Sequence, residues 1–333
     1  MIIDPTSDHS SVLSLDAYRA AVRLDEPFRP VAPAATARDL SGHVRAALGL
    51  LRTDKAVSRL GLDNDAIRRI READSTVARG VLRTLLTVRA PGPMPLSAMA
   101  ELDALLGGER LSRQDVDARQ LPTIAQLHPG TSYSAADRTA VWRGNITTLA
   151  IDAIVNAANS ALLGCFVPGH PCIDNAIHNA AGPRLRDDCQ MIMSAQNAPE
   201  PTGVAKITRG YHLPARYVLH TVGPIVGGPV HSRHAEALAM SYRSCLDLAA
   251  ELGAIRTVAF CGVSTGVFGF PRVPAARVAL RTVADWMDDH PELLDRVIFN
   301  VFGEDDENAY RTALADVTQP RQAGYRPDRA DKW

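Results

Sequence analysis

The chain has 333 residues, 46% of them hydrophobic, and a formal net charge of -1. The length predicts about two domains, and the apolar content suffices for packed cores. A near-neutral charge argues against a protein that binds nucleic acid through a basic surface. The sequence has neither an apolar run long enough to cross a bilayer nor a signal-peptide pattern, so we expect no membrane partner and a soluble, cytoplasmic protein.

The first part of the chain is predicted to be helical. A short helix is expected at 13–24, and apolar residues then recur every three or four positions from Thr36 to Leu106. Prolines at 91, 93 and 95 interrupt this pattern. The helix after them is predicted to end at Gly107-Gly108, since glycine commonly follows the last turn of a helix. We see no chemistry in this region, because its charged residues have the spacing of solvated helix faces.

Strands and helices alternate in the remainder of the chain. Residues 111–129 are polar and irregular, and we interpret them as a linker or a covering segment. Strands are predicted at Ala140–Trp142, Ala153–Asn156, Lys206–Arg209, Tyr217–Thr221, Thr257–Phe260 and Val297–Val301. Helices are predicted at Asp174–Ala181, Arg233–Leu252, Val273–Asp289 and Asp305–Asp316. This alternation indicates an α/β/α layered sheet. We therefore predict a helical N-terminal extension over 1–125, a layered domain over 126–318 and a loose tail over 319–333.

One loop combines two cysteines with a histidine. Cys165, His170 and Cys172 have the spacing C-x4-H-x-C, within a segment whose glycines and prolines permit sharp turns. Thiolate and imidazole together favour Zn²⁺ over oxygen-preferring cations. Three protein ligands without an obvious fourth are typical of an open, catalytic zinc site. The alternative is a surface loop with unrelated Cys and His residues. The odd total of five cysteines argues against a disulfide framework, and Cys189, Cys245 and Cys261 are predicted to be buried thiols.

Polar side chains surround this loop in the sequence. Asn156 and Asn159 follow an apolar strand, where Asn can serve the turn itself or hold a ligand hydroxyl. Asp174 stands at the start of a predicted helix, so N-capping is an alternative to a chemical role. His178 is four residues further on and shares its helix face. Gly182 is predicted to end that helix.

A second loop, CGVSTGVFGFP at 261–271, lies between a predicted strand and a predicted helix. Its glycines permit a close backbone approach, and successive backbone N–H groups in such a loop can bind an anion such as a phosphate. Phe268 and Phe270 are candidates to present a ring to a ribose or a base. A single glycine-rich loop with neither dinucleotide-fingerprint nor P-loop spacing is weak support for phosphate binding.

Several segments, in this order, resemble the macrodomain family. These are WRGNITTLAIDAIVNAANSALLGC, TGVAKITRGYHLPARYVLHTVGP, CGVSTGVFGFP and VFGEDDENAYR, and together they span about Tyr133 to Val317. The segment GCFVPGHPCIDNAIH resembles the zinc-containing macrodomains of bacteria and fungi, which are related to the MacroD-type hydrolases. The N-terminal helical extension is also similar to that subgroup. The resemblance implies an α/β/α sandwich with a mixed central sheet.

The resemblance also implies a site for ADP-ribose. Asn145 and Ile146 would lie at its adenine end, with Phe302 against the adenine, and Asn159 and Asp174 would flank the distal ribose with His178 behind them. Cys165, His170 and Cys172 would hold Zn²⁺ beside that ribose. The predicted substrate-binding residues are Asn145, Ile146, Asn156, Gly262, Ser264, Thr265, Gly266, Val267, Phe268, Gly269, Phe270 and Phe302, those of the glycine-rich loop being expected to wrap the diphosphate.

The sequence departs from the family pattern at one position. The family's GD(I/V) motif reads Gly144-Asn145-Ile146 here, so a neutral amide replaces the aspartate that contacts adenine. Asn can still accept a hydrogen bond from the adenine amino group, but the charge assistance is lost. We expect affinity to fall by about 1 kcal/mol without a change of ligand class.

The function implied by the resemblance is removal of mono-ADP-ribose from modified proteins, with Asn159, Asp174 and His178 as catalytic residues and Zn²⁺ as the cofactor. Two thiolates would neutralise the ion, so we expect substrate positioning to be its larger contribution. The alternatives are a non-catalytic ADP-ribose-binding module and an O-acetyl-ADP-ribose deacetylase. The expected partners are ADP-ribose and mono-ADP-ribosylated proteins, without nucleic acid, and the expected oligomeric state is a monomer.

Overall fold

A computed structural model describes residues 12–318. Its helices are α1 (Leu15–Arg19), α2 (Leu40–Leu50), α3 (Lys55–Arg59), α4 (Asn64–Glu72), α5 (Ser75–Val88), α6 (Leu96–Leu111), α7 (Ile124–Leu127), α8 (Ile173–Ala181), α9 (Pro183–Gln196), α10 (Ser232–Leu252), α11 (Arg272–Asp289) and α12 (Glu304–Thr318). Its strands are β1 (Val116–Asp117), β2 (Thr139–Arg143), β3 (Leu149–Ala150), β4 (Ala153–Ala157), β5 (Ala205–Arg209), β6 (Tyr217–Thr221), β7 (Thr257–Phe260) and β8 (Arg296–Val301).

The described residues form two compact units. The first contains the residues up to Arg113 together with Asn159–Pro201, and the second contains Gln114–Ala158 and the residues from Thr202 onward. The predicted division at residue 125 stays a prediction, as does the tail, which lies outside the described residues. Among the residues that the structure describes, none of the helices combines the length and apolar character needed to cross a membrane.

Helices α2 to α6 share the apolar core of the first unit. Its buried side chains are Val44, Ala47, Leu48, Leu51, Ala56, Val57, Ile67, Ala78, Leu82, Leu85, Ala98, Leu102 and Leu105. They recur at three- and four-residue intervals, which is why the segment was predicted to be helical. Each fully buried leucine stabilises the fold by about 1.5–3 kcal/mol. Aspartates at 54, 63 and 74 accept hydrogen bonds from backbone N–H groups and begin α3, α4 and α5.

The prediction that a helix ends at Gly107-Gly108 is wrong, because α6 continues to Leu111. These glycines serve close packing instead. A Cβ on Gly108 would lie 2.5 Å from the carbonyl oxygen of Ala35, and one on Gly107 would lie 2.9 Å from the Cβ of Ala34. The absent side chains therefore let the segment before α2 lie directly against α6.

The second unit is built on a six-stranded sheet of order β2-β8-β7-β4-β6-β5. All its neighbouring pairs are parallel except β5–β6, which is antiparallel. The predicted mixed sheet is therefore confirmed, with each of the six predicted strands in place. The interior strands β4, β6, β7 and β8 are almost wholly buried, as expected for strands covered on both faces. Parallel alignment puts the carboxyl ends of β4, β6 and β7 at one edge of this sheet.

A histidine is buried inside that sheet. His220 of β6 lies with its Nδ1 3.2 Å from Asn156 Nδ2 and its Nε2 2.9 Å from Thr208 Oγ1. A neutral imidazole satisfies both contacts, with Nδ1 accepting from the amide and Nε2–H donating to the hydroxyl. Burial lowers the pKa of His220 to about 3. The imidazole therefore stays neutral in the folded protein at physiological pH.

This neutral histidine is expected to make stability depend on pH. The unfolded chain binds a proton at the ordinary pKa of about 6.5, whereas the folded chain does so only near 3. Between these two pKa values the unfolded state holds more protons than the folded state. The free energy of unfolding should therefore decrease as the pH is lowered, by up to about 1.4 kcal/mol per pH unit. Denaturant unfolding of the wild type and His220→Gln between about pH 7 and about pH 5 measures this slope. Equal slopes in the two proteins would contradict the prediction.

Four predicted helices are confirmed with ends within two residues of those expected: α8, α10, α11 and α12. The helix predicted at 13–24 is shorter, Leu15–Arg19, and Arg23 beyond it has a left-handed φ of 49°. Residues 111–129, interpreted as a linker, hold β1, a short 3-10 turn and α7. The helix α9 was not predicted from the sequence.

Candidate active site

The loop predicted to bind metal, Gly164–Cys172, is called the cysteine loop below. Ligand atoms of Cys165, His170 and Cys172 all lie within 4.8 Å of one another, and Cys165 Sγ is 3.6 Å from His170 Nδ1. Tetrahedral Zn²⁺, with Zn–S of about 2.3 Å and Zn–N of about 2.1 Å, separates an S and an N ligand by about 3.6 Å. The donor set and its spacing therefore fit Zn²⁺ with a fourth position left for another ligand.

The thiol of Cys172 is held in a partly buried place. Burial is the main cause that raises the pKa of Cys172 to about 11, and the neighbouring Cys165 thiol contributes to this rise. Such a thiol is neutral at pH 7 in the metal-free chain and must lose its proton when it ligates a metal. Its Sγ also accepts a hydrogen bond from the backbone N–H of Asn175, at 3.4 Å, as the N-cap of α8.

Asn175 holds the loop from the first turn of α8, a role that the sequence did not indicate. Its side-chain amide donates to the carbonyl oxygens of Val167 and His170, at 2.9 and 3.3 Å. Two loop glycines, Gly164 and Gly169, have left-handed φ values of 82° and 73°. Backbone conformation and the amide of Asn175 therefore both contribute to the path of the loop.

The three predicted catalytic residues lie close together, with Asp174 in the first turn of α8, His178 in its last turn and Asn159 in the segment before the helix. Asp174 and His178 are each 5% exposed, and Asp174 Oδ1 is 3.4 Å from His178 Nε2. Asn159 Nδ2 donates to the carbonyl oxygen of Gly164 at 3.1 Å and lies 3.5 Å from Asp174 Oδ2. The alternative role of Asp174 as helix N-cap does not apply, since Cys172 occupies that position. Gly182 ends α8 with φ 92°, as predicted.

Alanine substitutions at the two loop glycines should separate backbone strain from a specific contact. A Cβ on Gly164 would lie 3.0 Å from the imidazole of His178, whereas one on Gly169 meets nothing within 4 Å. Each alanine at positive φ costs about 1–2 kcal/mol. We expect Gly169→Ala to lose only this amount from the free energy of unfolding, and Gly164→Ala to lose more because the ring must move. Denaturant unfolding of both variants tests this; equal losses would show that the His178 contact does not constrain the loop.

The glycine-rich loop belongs to the second unit and leaves the carboxyl end of β7. Three backbone hydrogen bonds fold it tightly: Phe270 N to Ser264 O at 2.9 Å, Gly269 N to Gly266 O at 3.0 Å and Val226 N to Phe268 O at 2.7 Å. Ser264 has a left-handed φ of 64°, a component of backbone nests that bind anions. Its buried Oγ takes no hydrogen-bond partner within the described residues.

The other predicted substrate-binding residues of this loop differ in exposure. Gly262, Gly266, Val267 and Gly269 are exposed, and Thr265 and Phe268 are half-buried. A Cβ on Gly269 would lie 2.7 Å from the carbonyl oxygen of Val226, so this glycine also serves close packing. The ring of Phe270 is 2% exposed and belongs to the core, whereas Phe302, beyond β8, is 80% exposed. Phe302 and Phe268 are therefore the predicted aromatic residues with accessible rings.

Asn145, Ile146 and Asn156 have local structural partners as well. Asn145 is exposed, and its Oδ1 accepts from Thr147 N at 3.0 Å and Thr147 Oγ1 at 2.8 Å. Ile146 follows it at the start of a 3-10 turn, with a buried side chain. Asn156 lies in β4 and contacts His220. The structure thus gives each residue a local role, and its ligand contact stays a prediction.

The fold, a mixed six-stranded sheet with a glycine-rich loop after β7, is similar to that of macrodomains of known structure. The chain belongs to the macrodomain family. The Macro domain family matches residues 155–279. A protein-ADP-ribose hydrolase of Treponema medium is 45% identical over 235 residues, 71% of this chain and 87% of that protein. The predicted α/β/α fold class is thereby confirmed.

Two further relatives agree with this family. The ADP-ribose glycohydrolase MACROD1 of Bos taurus is 47% identical over 213 residues, 61% of this chain and 62% of that protein. The crystal structure of a Trypanosoma brucei macrodomain in complex with ADP-ribose is 35% identical, with a TM-score of 0.52, and covers 70% of this chain and 95% of that one.

Proposed function

We propose that the protein is a zinc-dependent hydrolase that removes mono-ADP-ribose from modified protein side chains and releases ADP-ribose. The predicted enzyme class, protein-ADP-ribose hydrolase, is confirmed by curated relatives of that name at 45% identity. The proposed zinc dependence rests on the cysteine loop. Two thiols and one imidazole converge there, at the spacing Zn²⁺ requires, immediately before the buried pair Asp174 and His178.

Bound Zn²⁺ would supply a Lewis acid and a fixed coordination position beside the distal ribose. In the overall reaction, a water oxygen forms a bond to the anomeric carbon of that ribose, and the bond between this carbon and the protein side chain breaks. One water proton goes to the leaving side chain and the hydroxyl stays on the sugar.

Asp174, His178 and Asn159 have distinct tasks in this proposal. Asp174, buried and 3.4 Å from His178, accepts a proton from the attacking water or orients that water. His178 holds the carboxylate of Asp174, and its ring lies against Gly164. Asn159, tied through Gly164 to the cysteine loop, offers its amide to a ribose hydroxyl. Orientation of this kind is a large part of hydrolytic rate enhancement.

The glycine-rich loop, Asn145 and Phe302 are proposed to bind the rest of ADP-ribose. The diphosphate would accept hydrogen bonds from backbone N–H groups of the glycine-rich loop, where Ser264 is left-handed and its Oγ is unbonded within the described residues. Asn145 and Phe302, both exposed, are the proposed adenine contacts. A cytoplasmic location, a monomeric state and the absence of nucleic-acid partners remain predictions from the sequence.

The test is a time course of ADP-ribose release from a mono-ADP-ribosylated protein, with native and chelator-stripped enzyme in parallel. We expect release by the native protein, loss of release on stripping, and recovery with Zn²⁺. Release that survives stripping would overturn the zinc dependence and leave a metal-independent hydrolase. Binding of ADP-ribose with no release from either form would favour a binding module. Release of acetate from O-acetyl-ADP-ribose alone would favour the deacetylase.

A further inference from the structure

A buried arginine lies between the start of the cysteine loop and the N-terminal helices. Arg186 of α9 is 6% exposed. Its Nε donates to the carbonyl oxygen of Leu163, the residue that precedes the loop, at 2.8 Å. Its Nη1 donates to the carbonyl oxygens of Leu86 and Arg89, at 3.0 and 2.6 Å. One guanidinium thus joins the loop entrance to two backbone groups about one hundred residues earlier in the chain.

The earlier carbonyls belong to the C-terminal end of α5. The last carbonyls of a helix have no partner within that helix, and the helix dipole places partial negative charge there. A cation is the favoured partner at this position. Burial lowers the pKa of Arg186, and the nearby carboxylate of Asp174 counters this effect. Arginine keeps its charge under such conditions, which lysine does not always do.

The same guanidinium also contacts the loop itself. Its central carbon lies 4.4 Å from the ring centroid of Phe166, within the range of a cation–π contact. Arg186 therefore contacts the loop region at two residues, Leu163 and Phe166. Phe166 is adjacent to the metal-ligand candidate Cys165. Arginine's planar fork can serve three carbonyls and a ring at once, whereas a lysine ammonium cannot.

One further hydrogen bond and one longer polar contact lie beside this connection to α5 and the segment after it. The backbone N–H of Gly92 donates to Asp187 Oδ1 at 2.9 Å, and Thr87 Oγ1 lies 3.4 Å from Asn179 Oδ1. Both partners belong to the helices that follow the cysteine loop. The end of α5 and the segment after it are therefore joined to both sides of the loop, through α9 and through Leu163.

We propose that Arg186 is a positioning residue for the cysteine loop, and that the N-terminal helical segment serves as its anchor through the carbonyl end of α5. The consequence for metal binding rests on the proposed function. The consequence for the conformation of the loop does not, because none of the atoms that Arg186 contacts is a candidate metal ligand. The N-terminal segment thereby acquires a role in the hydrolase site in addition to any contact with a modified protein.

Arg184 offers a matched control on the same helix. It pairs through two nitrogens with the buried carboxylate of Asp103 in α6, and it lies over the ring of Phe28 at 5.2 Å. It resembles Arg186 in charge, burial of its partners and aromatic contact, but it is tied to α6 instead of the cysteine loop. Arg184→Gln should therefore destabilise the fold without loosening the loop.

The test compares Arg186→Gln, the milder Arg186→Lys and Arg184→Gln in two measurements. Amide hydrogen exchange of residues 163–172 is measured in chelator-stripped protein. We expect exchange to accelerate about tenfold or more in both Arg186 variants and to be unchanged in Arg184→Gln. Zinc affinity is measured by competition with a chromophoric chelator, and should weaken about 10- to 100-fold in the Arg186 variants only. Arg186→Lys keeps the experiment informative if Arg186→Gln does not fold.

The two readouts separate the proposals. Loop exchange that rises equally in the Arg184 and Arg186 variants would overturn the positioning role, because the effect would then be general destabilisation. Faster loop exchange in the Arg186 variants, combined with no zinc binding by the wild type, would support the positioning role and overturn the zinc dependence. Faster exchange with unchanged zinc affinity would overturn the consequence for the metal.

Discussion

Replacing Cys165 with alanine is expected to remove bound zinc and to lower turnover at saturating substrate by about 10³-fold or more. Within the described residues the cysteine loop offers three ligand candidates, and an open site cannot lose one of three ligands and keep a defined geometry. Positioning of the substrate by the ion, together with the Lewis acidity that two thiolates leave to it, is expected to contribute about 4 kcal/mol at the transition state, which corresponds to 10³ in rate. The measurement is kcat for ADP-ribose release, together with zinc content after dialysis.

Cys165 is a cleaner position for this test than Cys172. The Sγ of Cys172 is the N-cap of α8, and loss of a cap costs about 0.5–2 kcal/mol of stability. A Cys172 variant would therefore combine a folding defect with the loss of a ligand.

Cys245→Ala is the matched control for Cys165→Ala. This thiol is fully buried in α10, where burial raises its pKa, so its replacement should change stability but neither zinc content nor kcat. Near wild-type turnover by Cys165→Ala, with dialysed protein still requiring zinc, would contradict the proposed ligand set. Near wild-type turnover with no zinc requirement would show that the loop is structural.

Sequence patterns predicted those features that are determined over short distances along the chain. The six strands of the sheet are runs of apolar residues between turns, and all were found. The cysteine loop was predicted because its ligand candidates lie within eight residues of one another. Gly182 was predicted to end α8 because a positive φ after a helix favours glycine.

Features that depend on contacts between distant segments were missed. Arg186 contacts Leu86 and Arg89, and its sequence environment is that of an ordinary charged helix residue. The double glycine at 107–108 has the sequence pattern of a helix end. Glycine is needed at 108 because the backbone of Ala35 lies too close to α6 for a Cβ. Helix α9 begins with Pro183 directly after Gly182, so the same glycine that ends α8 also precedes a new helix. Local pattern cannot distinguish these cases, because the deciding partner is far away in the sequence.

Replacing Asp174 with asparagine is expected to reduce kcat by about 10²- to 10⁴-fold while ADP-ribose affinity changes by only a few fold. A general base typically contributes this much, which corresponds to about 3–5.5 kcal/mol of transition-state stabilisation. Asparagine keeps the size of the side chain and can retain contacts with Asn159 and His178. It cannot accept a proton from water. The measurements are kcat from ADP-ribose release and Kd for free ADP-ribose.

Asp187→Asn is the matched control for this substitution. Asp187 is a neighbouring carboxylate of the same unit whose pKa is raised by burial, and its Oδ1 accepts a hydrogen bond from Gly92 N. An amide oxygen can accept that bond equally, so kcat should stay near the wild-type value. A large loss of kcat in both variants would point to charge or packing in this unit and not to a proton transfer at Asp174.

The same pair of variants also separates a hydrolase from a binding module. In a binding module Asp174 would contribute only to affinity, so Asp174→Asn would weaken ADP-ribose binding and leave no turnover to lose. In the proposed hydrolase the loss lies in kcat, because the carboxylate acts on the attacking water and not on the ground-state ligand. Unchanged kcat in Asp174→Asn would assign the hydrolytic proton transfer to another group and leave Asp174 as a positioning residue for the cysteine loop and His178.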